Sequence, residues 1–121
     1  DRRLAGASVF CAPSLGGESF GVILLEAMAA DTPVVASSIP GYAKVALPDG
    51  GPPAALLSAP GDVEGLVVAL NEVLADSSRA QQLRDAGRTR AEQFDLELLC
   101  DLYLERYERL LTRSLASTPA P

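Results

Sequence analysis

The hydrophobic pattern of this chain changes period about halfway along it. In the first half, short apolar runs occur at residues 8–12, 34–37 and 54–58, each bounded by proline or glycine. Such runs are typical of the buried strands of a parallel sheet. The third run is the least strand-like because alanine and leucine prefer helices. The pattern predicts three parallel strands.

Between the first two runs, residues 20–30 are mostly helix formers and are apolar nearly all round, which indicates a buried helix. The segment Asp31-Thr32-Pro33 ends this helix, because proline cannot continue it and restricts the residue before it. A short helix is expected at 42–47, followed by a Gly/Pro loop at 48–53. The alternation of strands and helices predicts an α/β fold with right-handed crossovers.

Beyond residue 60 the hydrophobic period is helical. A first helix is expected after an N-cap at Asp62, with an apolar face formed by Val63, Leu66, Val67, Leu70, Val73 and Leu74. A more polar helix, capped by Ser77 or Ser78, runs to about Gln93. A third helix starts at Asp95, and its stripe is formed by Leu99, Leu102, Tyr103, Arg106, Tyr107, Leu110 and Leu111. That stripe fits either packing within this chain or docking on another domain.

The composition removes several function classes. Without histidine, imidazole bases, imidazole-ligated zinc and Ser-His-Asp triads cannot be built. A net charge of −6 argues against nucleic-acid binding, and the longest apolar run, residues 20–25, is too short for a transmembrane segment. Cys11 and Cys100 are expected to be reduced thiols of a cytosolic protein. Because the chain begins with Asp1, we expect a processed chain or a piece of a longer one.

The candidate chemistry lies between the first strand and the helix after it. The segment Gly16-Gly17-Glu18-Ser19-Phe20-Gly21 occupies this position, which in an open parallel sheet is the crevice where ligands bind. Glycines allow close backbone approach, and the first amides of the helix, around residues 20–23, can face an anion. The pattern favours a phosphate site, although Gly-Gly before a helix is also typical of a plain tight turn.

Glu26 adds a second feature, since it lies in a run of leucine, alanine and methionine. Burying its carboxylate without a partner costs several kcal/mol, so it must reach a partner or a wet crevice. With a helix that begins near Phe20, Glu26 lies about 8 to 9 Å along the axis from the phosphate-binding end. From there a carboxylate can accept two hydrogen bonds from a ribose diol. The alternative is a buried salt bridge to Arg3 or Arg84.

The stretch ESFGVILLEAMAADTPVVAS, from Glu18 to Ser37, resembles the E-x7-E signature and its flank in retaining GT-B glycosyltransferases of the family 4 type. With CAPSLGG before it, the chain most resembles the actinobacterial phosphatidylinositol mannosyltransferases, which transfer mannose from GDP-mannose to a phosphoinositide lipid. The match is strong over residues 8–45, and farther on it holds only in pattern. It implies the second half of a Rossmann-like GT-B nucleotide-sugar domain over residues 1–94, then a C-terminal helix at 95–113 that packs toward a missing domain. Residues 114–121, rich in Ser, Thr, Ala and Pro, are expected to be a disordered tail.

The resemblance also implies a role for each residue of the motif. Glu18 would be the catalytic residue beside the transferred hexose, and Glu26 would hold the ribose hydroxyls of the donor. The remaining donor contacts would be backbone amides and the glycine loop, contributed by Gly16, Gly17, Ser19, Phe20, Gly21, Val22 and Ile23. It implies no cofactor other than the nucleotide-sugar donor, and no metal ligands.

Two features depart from the family pattern. The family usually has glycine where Asp31 stands, so we expect Asp31 in the left-handed conformation. The arginine and lysine that clamp the donor diphosphate belong to a part of the domain that this chain lacks. The chain alone is therefore expected to be inactive, with its lipid acceptor bound by the missing N-terminal domain. We expect a cytoplasmic location, with peripheral attachment to the inner face of the membrane left open.

Two alternatives remain open. One keeps the fold but uses a UDP-sugar and another acceptor. The other is a non-catalytic interaction module, which would dock through the stripe of the last helix.

Overall fold

Three short strands form one parallel sheet in chain order: β1 (Phe10–Ala12), β2 (Val34–Ser37) and β3 (Leu56–Ser58). This architecture comes from a computed structural model, which describes residues 2–17, 20–94 and 96–116. The predicted α/β class with parallel strands is confirmed. The outer two strands begin two residues later than predicted, whereas β2 has the predicted bounds.

In the described part of the chain the helices flank this sheet and extend beyond it. In chain order they are α1 (Arg2–Ala5), α2 (Val22–Ala29), α3 (Pro40–Ala46), α4 (Val63–Ala75), α5 (Ser77–Gln93) and α6 (Leu96–Ala116). None of them combines the length and the apolar character that crossing a membrane requires, over the ranges described.

The core has two layers because successive side chains of a strand point to opposite faces. Val34 and Ala36 pack with α2 and α3 on one face of β2. Val35 packs with α4 and α5 on the other face. The helix α5 also lies against α2, where a β-carbon on Gly87 would stand 3.1 Å from Cγ of Met28. The absence of a side chain at Gly87 therefore permits the close approach of these helices.

Several helix ends differ from the prediction. α2 begins at Val22, with Gly21 as N-cap, and α3 begins at Pro40, because proline fits the first helical position. The predicted cap at Asp62 is confirmed, since its carboxylate accepts from the amide of Gly65 at 3.0 Å. The predicted serine cap of α5 is wrong. Asp76 is the N-cap and accepts the amides of Ser78 and Arg79, at 3.0 and 3.1 Å.

The apolar face predicted for α4 is only partly buried. Val73 is buried, and Leu66 and Leu70 are half-buried against β2 and β3. Val63 and Val67, predicted on the same face, are 70% and 49% exposed, and Leu74 is also exposed. A sheet of three strands covers only one side of this helix, which leaves the other side of the predicted face in solvent.

The last helix is exposed over the part whose side chains the structure describes. From Cys100 onward, every side chain of α6 that the structure describes is exposed, including Tyr103 and Tyr107. Internal packing of the predicted stripe is therefore wrong for Tyr107, Leu110 and Leu111. The side chains of Leu99 and Leu102, which belong to the same stripe, lie outside the described part of the chain. The helix continues to Ala116, so residues 114–116 are helical rather than disordered. Asp95 and residues 117–121 lie outside the described residues.

Candidate functional site

The candidate site lies in the loop that joins β1 to α2, beyond the carboxyl end of the strand. Gly16 and Gly17 are exposed in this loop, and Gly17 has a φ of 87°. Only glycine adopts this left-handed conformation without strain. Glu18 and Ser19 lie outside the described residues, so their roles stay predictions.

Gly21 closes the loop and is buried against α3. Its φ is 64°, and a β-carbon there would stand 2.9 Å from the carbonyl oxygen of Gly41 and 3.1 Å from Cγ2 of Val45. Both the backbone conformation and the space therefore require glycine. The first turn of α2 therefore packs directly against α3.

The first turn of α2 presents open backbone amides. The carbonyl of Gly21 accepts from the amides of Leu24 and Leu25, at 3.0 and 3.4 Å, and no side chain caps the helix. Within the described residues, the amides of Val22 and Ile23 donate to no acceptor. First-turn amides carry the positive end of the helix dipole. This end of α2 is therefore suited to bind an anion.

Glu26 is exposed on α2, one turn beyond these amides. The alternative of a buried salt bridge to Arg3 or Arg84 is wrong, because the Glu26 side chain is not buried. Since α2 begins at Val22, Glu26 lies about 6 Å along the axis from the first turn rather than 8 to 9 Å. The structure therefore brings together, on one exposed end of α2, the two open amides and a carboxylate.

Phe20 is half-buried beside this end of α2, at one side of a groove of about 520 Å³ that also includes Leu25, Lys44 and Phe94. The guanidinium of Arg106, on α6, lies 5.5 Å from the centre of the Phe20 ring. The sequence places Arg106 in the stripe of the last helix, and nothing in that pattern indicates its position beside the site. Arg106 is therefore a candidate site residue that sequence reasoning missed.

Arg90 also faces this groove but is engaged in holding the fold. It donates through Nε to the carbonyl of Val45 at 2.8 Å and through Nη2 to that of Lys44 at 2.6 Å. Its guanidinium also stacks on Phe94, 4.5 Å from the ring centre. Burial lowers the pKa of Arg90 from its usual value. These contacts tie α5 to the end of α3 and leave little of Arg90 for a ligand.

Tyr42 is a second residue that sequence reasoning missed. It is 3% exposed, and its hydroxyl lies 3.0 Å from Oγ of Ser14, at the start of the site loop. The only signal in the sequence for the position of Tyr42 at this edge of the sheet is that it follows the second strand. Over the residues that the structure describes, no three acidic or cysteine side chains converge as metal ligands.

The family model described as glycosyl transferases group 1 matches residues 1–90 of this chain. The chain belongs to this family. The predicted resemblance is thereby confirmed, and the loop and helix described above lie within the matched residues.

Several curated proteins resemble this chain over most of its length. Phosphatidyl-myo-inositol mannosyltransferase of Mycobacterium leprae is 37% identical over 109 residues, which are 90% of this chain and 28% of that protein. MMP alpha-(1->4)-mannosyltransferase of Mycolicibacterium hassiacum is 38% identical over 114 residues, or 93% of this chain and 27% of that protein. The chain thus spans little more than a quarter of the length of these relatives.

Solved structures of glycosyltransferases share the fold. Sucrose-phosphate synthase from Thermosynechococcus elongatus superposes with a TM-score of 0.71 at 32% identity, over 92% of this chain and 27% of that one. HepE of Anabaena, solved in complex with UDP-glucose, superposes with a TM-score of 0.73 at 22% identity, over 89% of this chain and 29% of that one. These likenesses confirm a Rossmann-like part of a GT-B fold.

Proposed function

We propose that this chain is the donor-binding part of a retaining glycosyltransferase and holds the diphosphate of a nucleotide sugar at the first turn of α2. The observation that carries this proposal is the pair of open amides at Val22 and Ile23, with the exposed carboxylate of Glu26 one turn farther on. Amides at a helix N-terminus bind phosphate through hydrogen bonds and the helix dipole. A carboxylate at the distance of Glu26 accepts hydrogen bonds from a ribose diol.

In this proposal the residues of the motif contact different parts of the donor. Glu18 lies beside the transferred hexose, and the amides of Ser19, Phe20 and Gly21 donate to the sugar or the phosphate. Gly16 and Gly17 let the backbone approach the ligand closely. The leaving diphosphate is stabilised by amides and cations as the sugar passes through an oxocarbenium-like state. No cofactor takes part besides the donor.

The donor is proposed to be GDP-mannose and the acceptor a phosphatidylinositol-type lipid. The support is the identity of 37% to a phosphatidyl-myo-inositol mannosyltransferase and of 38% to a second mannosyltransferase. The acceptor would bind a domain that this chain lacks. The enzyme would lie in the cytoplasm or at the inner face of the membrane. The exposed side of α6, with Tyr103 and Tyr107, is proposed to pack against that domain.

The isolated chain is proposed to be inactive. Its net charge is −6, and Arg90, which faces the groove beside the site, is occupied by backbone carbonyls. A diphosphate leaving group needs positive charge in its surroundings. Besides Arg106, which lies beside Phe20, most of that charge would be supplied from outside these 121 residues.

The test is nucleotide binding to the protein expressed at its natural length. GDP should bind measurably in isothermal titration calorimetry, and Glu26→Gln should weaken binding by about 10- to 100-fold, as expected from the loss of a charge-assisted hydrogen bond. Glu92→Gln is the matched control, because Glu92 is exposed on α5. Absence of GDP binding, or equal affinities for the wild type and Glu26→Gln, would contradict the assignment.

A UDP-sugar donor is the alternative, since the solved HepE structure holds UDP-glucose. The same titration with UDP separates the two. Tighter binding of UDP than of GDP would favour this alternative and leave the family assignment unchanged.

A further inference from the structure

Tyr42 contacts both ends of the loop that carries the candidate site. Its hydroxyl lies 3.0 Å from Oγ of Ser14, two residues after β1 ends. Its ring lies beside Gly21, where Cδ1 would be 3.4 Å from a β-carbon. One buried side chain on α3 therefore fixes the point where the loop leaves the sheet and the point where α2 begins.

The loop between these two points has little other support. Residues 15–17 make no backbone hydrogen bond to any described residue, and all of them are exposed. Gly16 and Gly17 add backbone freedom, which raises the entropy cost of holding one loop conformation. Anchors at both ends restrict that freedom. Tyr42 provides one of them through a hydrogen bond and the other through ring packing.

The hydroxyl of Tyr42 is explained by its hydrogen bond and not by packing. A phenylalanine would fill the same space beside Gly21, so packing alone does not require the polar atom. The phenol of a buried tyrosine needs a hydrogen-bond partner, and within the described residues that partner is Ser14. The hydrogen bond therefore acts on the loop rather than on the core.

We propose that Tyr42 is a positioning residue: through its contacts with Ser14 and Gly21 it holds the start of α2 so that the amides of Val22 and Ile23 face the donor diphosphate. This inference rests on the proposed function. It assigns to Tyr42 an effect on the diphosphate part of the ligand and not on the nucleoside part, which Glu26 would hold.

The test compares GDP and guanosine as ligands for three variants of the full-length protein. Tyr42→Phe removes the hydroxyl alone, Ser14→Ala removes its partner, and the double variant removes both. Each single variant should weaken GDP binding by about fivefold, the effect of one neutral hydrogen bond. The double variant should be no weaker than either single one, because they break the same interaction. Guanosine affinity should stay unchanged in all three.

Ser77→Ala is the matched control for the loss of a hydroxyl, since Ser77 is exposed at the start of α5 and takes no part in the hydrogen bond between Tyr42 and Ser14. Thermal unfolding of each variant identifies any loss of folded protein. A merely structural role for the hydroxyl would lower the affinities for GDP and guanosine alike, and that outcome overturns the proposal.

The failure of this inference can be told from the failure of the proposed function. If the wild type binds GDP and Glu26→Gln weakens it, but Tyr42→Phe does not, the positioning role is wrong and the donor site stands. If no nucleotide binds, hydrogen exchange of the free protein decides the positioning role. Tyr42→Phe should then speed exchange in the peptide that contains Val22 and Ile23, and unchanged exchange overturns the proposal.

Discussion

Asp31 and Arg88 form an ion pair that joins the end of α2 to α5, with Oδ1 and Nη2 2.7 Å apart. Among the described residues, Asp31 is the only non-glycine with a positive φ, at 62°. The left-handed conformation expected for this position is therefore confirmed. The hydrogen bond from Arg88 to the Asp31 carboxylate raises the pKa of Arg88. The ion pair partly offsets the conformational cost of an aspartate at a glycine position.

Asp31→Gly and Asp31→Ala should differ in stability. Both variants lose the ion pair. Glycine adopts the left-handed conformation freely, whereas for alanine this conformation costs about 1 kcal/mol or more of conformational free energy. In urea unfolding Asp31→Ala should therefore be the less stable of the two by about that amount. An Asp31→Ala protein as stable as Asp31→Gly would show that the backbone relaxes at this position.

Gly21→Ala should disrupt the packing of α2 against α3. The new methyl group would lie 2.9 Å from the carbonyl oxygen of Gly41, in a backbone with φ 64°. We expect a loss of unfolding free energy of about 2 kcal/mol or more, since strain in φ alone costs about 1 to 2 kcal/mol. Gly50→Ala is the control, because Gly50 also has a positive φ, 77°, but an added methyl group meets no atom within 4 Å. Equal losses in the two variants would mean that crowding at Gly21 has no effect.

Arg90→Lys should weaken the attachment of α5 to α3. The guanidinium donates to the carbonyls of Lys44 and Val45 at once, and a lysine ammonium lacks this planar fork. The expected loss is about 1 to 3 kcal/mol in chemical denaturation. Arg79→Lys provides the comparison, because the partners of Arg79 are the exposed side chains of Glu72 and Gln82. A larger loss for Arg79→Lys would contradict the structural role of Arg90.

Asp76→Ala should destabilise α5 by removing its N-cap. The carboxylate accepts the amides of Ser78 and Arg79, and the loss of such a cap costs about 1 kcal/mol. Asp76→Asn should retain most of the stability, because asparagine caps nearly as well. Thermal unfolding of both variants is the measurement. If alanine were tolerated as well as asparagine, the cap would contribute nothing.

The two thiols should react at different rates. Burial raises the pKa of Cys11 in β1 above its usual 9.0, whereas Cys100 is exposed on α6. Because the thiolate is the reactive form, a disulfide reagent at pH 8 should modify Cys100 first. The slow phase, that of Cys11, should gain speed as the pH rises through 9 and beyond. Cys100→Ser should leave only the slow phase, and a single fast phase in that variant would refute the assignment.

The part of the fold that the sequence predicted is the part that depends on near neighbours in the chain. Prolines around β2 bound that strand on both sides, and the Asp62 cap lies three residues from the amide that it accepts. The left-handed conformation of Asp31 was expected because the family that the motif resembles usually has glycine at this position after a helix. For the strand and the cap the decisive contact lies within a turn or two, so local pattern was sufficient.

Burial on the last helices was not predictable in the same way. The apolar spacing of α4 and α6 shows which residues share a face, but exposure depends on which surface the face meets. Val63 and Tyr107 are exposed because the described sheet and helices cover neither of them. Glu26 is exposed for a related reason, since α2 turns this residue away from the core formed by its leucines.

The amino-acid sequence by itself determined the types of the elements from β1 onward, the glycine-rich loop, the helix after it and the family signature, because these follow from backbone preferences and short-range spacing. The short helix α1 was not predicted. Only the tertiary structure decided that Tyr42 reaches Ser14 and Gly21, and that Arg106 lies beside Phe20. Those contacts join residues far apart in the chain. Their free energy arises from packing and hydrogen bonding after the helices have docked, which no local pattern records.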